Sequence, residues 1–171
     1  MFGGSGCQDK AKVRGVTQFS APVNSVLITG IIAGIAGGVL IDTYLIGISF
    51  ATLHSANVAT YYQSVAAIAV GKVALADPNS AWLGAVIHFA LSIAWGIGYV
   101  YAALQTPAIA ARPVISGVAF GFVVYLTMQI VAVATNTFRP PDTALLVNGL
   151  VAYMMFFGLP IALITYRARL A

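Results

Sequence analysis

The chain is poor in charge. Of its 171 residues only 7% are Asp, Glu, Lys or Arg, against about 25% in ordinary soluble domains. Glutamate is absent, and the acids are Asp9, Asp42, Asp77 and Asp142, so paired-glutamate chemistry is excluded. The lone cysteine, Cys7, excludes an internal disulfide and any cysteine-held metal or iron–sulfur cluster. Two histidines, His54 and His88, are too few donors for a structural zinc site, and no metal ligand is assigned. No nucleophile triad, phosphate loop or dinucleotide fingerprint occurs. No catalytic residue is therefore assigned, and the chain reads as non-enzymatic. No stripe of aromatic and basic residues marks nucleic acid as a partner.

What is present is apolar. Hydrophobic residues make up 60% of the chain and the mean hydropathy is +0.95, too apolar for a soluble fold of this size. The solvent of such a chain is lipid, and bound lipids are expected. The net charge of +4 comes from residues that mostly flank apolar runs, a pattern of membrane topology and anionic headgroups. The first run starts near Val23 and is too long for a signal-peptide core, so no cleavable signal is expected. Cys7 reads as an inert terminal thiol.

A membrane span needs about 20 apolar residues. Four segments qualify, at about 23–50, 81–104, 114–134 and 144–166. Turn chemistry separates them at Asp77-Pro78-Asn79-Ser80, Thr106-Pro107, Arg112-Pro113 and Arg139-Pro140-Pro141-Asp142. Ser80 and Thr143, or the residue before each, are candidate helix N-caps. Residues 57–75 are apolar but short, and read as an interfacial or re-entrant helix between spans one and two. The expected fold is an all-α, integral membrane four-helix bundle of two hairpins. A polar tail lies at 1–22 and a short one at 167–171. Pro160 should disturb the fourth span near Gly158.

Basic residues set the orientation. Lys10, Lys12, Arg14, Arg112, Arg167 and Arg169 fall on one side, Lys72 and Arg139 on the other. The positive-inside rule then puts both termini in the cytoplasm. Trp82, Tyr61 and Tyr62 would anchor the outer interface, and Tyr99, Tyr101 and Tyr166 the inner one. A weak internal repeat pairs Asn79-Ser80-Ala81-Trp82-Leu83 with Asp142-Thr143-Ala144-Leu145-Leu146. It describes two hairpins of one kind, the first with a longer connection. Chance similarity between apolar helices is the rival reading.

Small residues recur one turn apart at Gly30, Gly34 and Gly38, at Ser92 and Gly96, and at Gly117 and Gly121. Such grooves let helix backbones approach closely, either within the bundle or against a partner's helix. One polar group per span falls at similar depth: Asp42, His88, Gln129 and Asn148. Asp42 can accept a hydrogen bond from His88, with Gln129 and Asn148 satisfying its remaining lone pairs. Three readings follow: a satisfied structural cluster, a proton or cation site, or a haem or chlorin ligand on His88.

The run Gly84-Ala85-Val86-Ile87-His88-Phe89-Ala90-Leu91-Ser92-Ile93-Ala94-Trp95-Gly96-Ile97-Gly98-Tyr99 resembles the G-x-x-x-H-F-x-x-S-I-x-x-G-x-x-Y span of the YagU-like bacterial inner-membrane proteins. The run from Gly117 to Tyr125 resembles their next span. The likeness covers about residues 81–166 and implies a small multi-span protein of unknown biochemistry. It transfers no catalytic residue. Its distinctive polar position falls on His88, and no second histidine lies in a span to complete a two-histidine cofactor site.

The leading expectation is a non-catalytic accessory subunit of a larger respiratory, photosynthetic or oxygenase complex, docked through glycine-rich faces or self-associated. The alternatives are a small oligomeric proton or cation transporter or channel using Asp42 and His88, and a haem- or pigment-binding subunit.

Overall fold

The computed structural model describes residues 23–53, 57–137 and 143–170, without the side chains of 49, 50, 52, 53, 169 and 170. Its elements are α1 (Val23–Leu53), α2 (Val58–Val70), a 3-10 turn (Lys72–Leu75), α3 (Ser80–Gln105), the short α4 (Pro107–Ala111) and α5 (Pro113–Ala134). Then come α6 (Thr143–Val151), a π-helical turn (Ala152–Gly158) and α7 (Leu159–Leu170), which run on as one rod. Four stretches are long and apolar enough to cross a membrane: Val23–Ile48, Ser80–Gln105, Pro113–Ala134 and Thr143–Ala168. The protein is an all-α integral membrane bundle. The 13 residues of α2 reach roughly 20 Å, too short to cross.

Local chemistry sets the breaks. Asn57 Oδ1 accepts the Ala59 N–H at 2.9 Å and starts α2. Gly71, at φ 88°, ends it and sends its N–H back to Ala67 O. Before α3 the cap differs from expectation. Asn79 makes no side-chain cap bond. Instead Asp77 Oδ1 accepts the Asn79 N–H, and the Ser80 hydroxyl donates back to the carbonyls of Ala74 and Asp77. The other candidate, Thr143, follows residues 138–142, which lie outside the described residues, so its cap is left aside. Pro107 and Pro113 open α4 and α5, where a missing N–H costs nothing. Pro160 has no N–H to give the carbonyl one turn back. The helix widens just before it, and the Leu159 N–H bonds to Met154 O instead.

The bundle is built from two glycine joints. In the first hairpin, α1 packs on α3, and a Cβ added to Gly30 or Gly34 would stand 2.6 Å from the Cα of Ile97 or Ile93. In the second, α5 packs on the π turn and α7. There a Cβ on Gly117 or Gly121 would stand 2.9 Å from Leu159 Cα or 2.7 Å from Met154 Cα. The joints match at their central glycines. Gly96 abuts Gly30 O and the N and Cα of Gly34; Gly158 abuts Gly117 O and the N and Cα of Gly121. The internal repeat is thus present in the packing, but in a different register from the helix-start strings. Ser92 corresponds to Tyr153, which pairs Asn79 with Pro140 and not with Asp142. Across the π turn the second copy holds one residue more: Ile93 to Ile97 is matched by Met154 to Leu159. A π turn absorbs one extra residue in this way.

These contacts consume the small-residue faces. Gly38 lies against Ser92 and Phe89, and Gly37 against Phe157 and Ile161 of the second hairpin. The glycines expected to offer a groove to a partner are filled by the chain's own helices, because only there do backbones come within van der Waals reach. The two hairpins meet along α1, which touches both α3 and the π turn with α7. Tyr99, Trp95 and Phe120 fill the space toward the α4 end, with Tyr99 and Phe120 ring centroids 4.8 Å apart.

Candidate functional site

Asp42 extends the glycine row of α1. Gly30, Gly34, Gly38 and Asp42 are spaced by four and share one helix face. Gly84, His88, Ser92 and Gly96 make the matching row on α3. Antiparallel packing sets Gly34 by Gly96 and Gly38 by Ser92, and the next meeting along the rows is Asp42 with His88. His88 Nε2 stands 3.1 Å from Asp42 Oδ1. The expected pairing is there, with a different geometry. The distance suits an ion pair, yet the buried Nε2 makes no hydrogen bond of acceptable direction.

The donors to the carboxylate come from α2. Tyr61 Oη–H donates to Asp42 Oδ1 at 2.9 Å and Tyr62 Oη–H to Oδ2 at 2.7 Å. Adjacent residues point about 100° apart on a helix, so each phenol takes a different oxygen. Gly84 makes this approach feasible, since its missing Cβ leaves room for the Tyr62 carbonyl and the Ala66 N–H. Burial first, and then the Asp42 carboxylate, hold both phenols well above their usual range, so they stay protonated donors. Aromatic rings surround the imidazole: Phe89 at 5.2 Å, Tyr62 at 6.2 Å and Tyr61 at 6.3 Å between centroids.

Two expected partners lie elsewhere. Gln129 donates to Tyr125 Oη at 3.3 Å, and Asn148 Oδ1 accepts from Tyr44 Oη at 2.7 Å. Similar depth did not bring them to Asp42, because Gln129 turns to a residue of its own helix and Asn148 meets a different face of α1. Three expected interface anchors also turn inward. Tyr61 and Tyr62 serve Asp42, and Tyr99 is 4% exposed with its hydroxyl 2.8 Å from Ser116 Oγ. A phenol in an apolar bundle seeks a polar partner when one is within reach. Trp82, Tyr101 and Tyr166 do stand on the exterior. Cys7, His54, Lys10, Lys12, Arg14 and Arg139 lie outside the described residues. Among the described residues no three His, Cys, Asp or Glu side chains gather as a metal site. Nε2 of His88 faces Asp42 and is buried, so that nitrogen offers no face to a haem or chlorin.

Adjacent tyrosines at 61 and 62 opposite a lone span carboxylate were the overlooked sequence signal. Their place near an expected interface suggested anchoring. What the site can do follows from its charges. A bare Nε2 beside a carboxylate oxygen at 3.1 Å is repulsive in a poorly screened interior, and a proton on either group removes the repulsion. No family model, curated protein or solved structure matches the chain, so its likeness to the YagU-like proteins stands on the residues quoted above.

Proposed function

We propose that the chain is a small proton-handling membrane protein, in which Asp42 and His88 take up and release a proton during proton or cation passage. The observation that carries this reading is the buried 3.1 Å contact between two ionisable groups from different spans, with Nε2 left without a hydrogen bond. An ionisable pair inside membrane spans is costly unless it is used. A purely structural clamp is better served by neutral groups, as at Gln129 and Tyr125. The accessory-subunit reading drew on abundant glycine faces, an outer-face insertion and the lack of a visible reaction centre, and of these the glycine faces are occupied within the bundle. In this proposal the membrane is a bacterial cytoplasmic membrane, with Arg112 and Arg167 on its cytoplasmic side.

Purified protein in vesicles loaded with a pH-sensitive dye tests the proposal. With an imposed potassium diffusion potential, proton influx should exceed that of empty vesicles. Asp42→Asn should lower it by about a hundredfold, the usual size of one positioned proton-transfer group. Equal influx in the parent and in Asp42→Asn would overturn the reading.

A further inference from the structure

We propose that Tyr61 and Tyr62 are positioning residues that make α2 a proton-controlled cover over Asp42. The inference rests on the proton-handling reading and adds how the proton reaches the site.

The two hairpins supply an internal comparison. In the packing register Gln129 stands where Asp42 stands and Gly149 where His88 stands. There the Tyr125 ring fills the space, 3.0 Å from where a Cβ on Gly149 would be, and Gln129 donates to the same phenol. That hairpin has a neutral pair and only a short connection from Ala134 to Thr143. The first hairpin has the ionisable pair and the inserted α2. The charge and its cover occur together.

The cover has a small core of its own. Ala66 and Ala67 of α2 cluster with Ala74 of the 3-10 turn, apart from the main core around Ile41, Val124 and Ile161. Besides its contact with α3, α2 is tied down by the two phenols and by Gln63 Nε2 on Asp77 O at 3.0 Å. Both phenols donate to one carboxylate, and bonds to an ionised acceptor are about twice as strong as neutral ones. A proton on Asp42 converts one oxygen into a donor and removes the charge from the other. Both latches weaken together, and α2 is free to lift from the site. The titratable groups facing Asp42 are Tyr61 and Tyr62 of α2, His88 of α3 and, within electrostatic reach, Tyr153 of the π turn. Among the described residues no lysine or arginine pairs with Asp42.

Hydrogen–deuterium exchange of residues 58–70, in the full chain in lipid nanodiscs, tests the cover. After correction for intrinsic rates, Asp42→Asn, which copies the uncharged carboxyl, should exchange about tenfold faster than the parent, the factor expected for losing one charge-assisted bond. Tyr61→Phe with Tyr62→Phe should be fast as well. Exchange that is unchanged in Asp42→Asn overturns the cover, even if that variant also stops proton influx. If Asp42→Asn frees α2 but leaves influx intact, the latch stands and the proton-handling reading falls.

Discussion

Asp42 is costly alone and tolerable in company. Its two oxygens each accept a phenol, and the imidazole stands at 3.1 Å. Replacing Tyr61 or Tyr62 with Phe should lower stability by about 1–2 kcal/mol each, between the values for charged acceptors in water and for side-chain bonds in bilayers. Denaturation in mixed micelles measures it. The phenols also set an alkaline limit. Their folded pKa values are raised above the ordinary 10.0. Below pH 10 folded and unfolded phenols are alike protonated and the contribution is whole. Above it the unfolded chain releases protons that the folded one keeps, so stability falls as pH rises. Melting between pH 8 and 11 should show this fall, shallower in the Tyr61→Phe, Tyr62→Phe double variant.

At the scale of elements, glycine position decides the outcome. Gly96 and Gly98 are two residues apart on α3 with opposite surroundings. Gly96 abuts the backbone of Gly30 and Gly34, while a Cβ on Gly98 meets nothing within 4 Å. Gly96→Ala should cost about 1–3 kcal/mol through overpacking. Gly98→Ala should gain about 0.5–1 kcal/mol through helix propensity. The π turn makes a further prediction. If it absorbs one extra residue, deletion of Met155, which is 41% exposed, should leave a regular helix with both glycine contacts intact. Deletion of the exposed Ala94 in α3 should break the equivalent joint. The Met155 deletion should melt within about 5 °C of the parent, and the Ala94 deletion should aggregate. Size-exclusion and melting in detergent distinguish them.

The whole molecule is one bundle with a single ionisable pair among its described residues and no glycine groove left vacant by α1, α3 or α5. The proposed proton site needs no partner, because Asp42, His88, Tyr61 and Tyr62 all come from one chain. Native mass spectrometry from membranes should find it alone or self-associated, with lipids attached. Obligate release together with a larger protein would favour the accessory-subunit expectation instead.

Much of the fold was legible in order along the chain. Four apolar runs of sufficient length, broken by Pro, Asp and Asn, determine four spans and an extra short helix, because lipid demands that the backbone satisfy itself within each segment. The spacing of Gly30, Gly34, Gly38 and Asp42, and of Gly84, His88, Ser92 and Gly96, already held the meeting of Asp42 with His88. Depth along a span was the weaker guide. It grouped Gln129 and Asn148 with Asp42, although depth says nothing of which way a helix face turns. Only tertiary structure decided that. It brought α2 onto Gly84, turned Tyr61 and Tyr62 from the interface to the carboxylate, and closed the glycine grooves with the chain's own helices. Such choices depend on which backbones approach within van der Waals contact. That contact joins residues far apart in sequence, and no local pattern of residues encodes it.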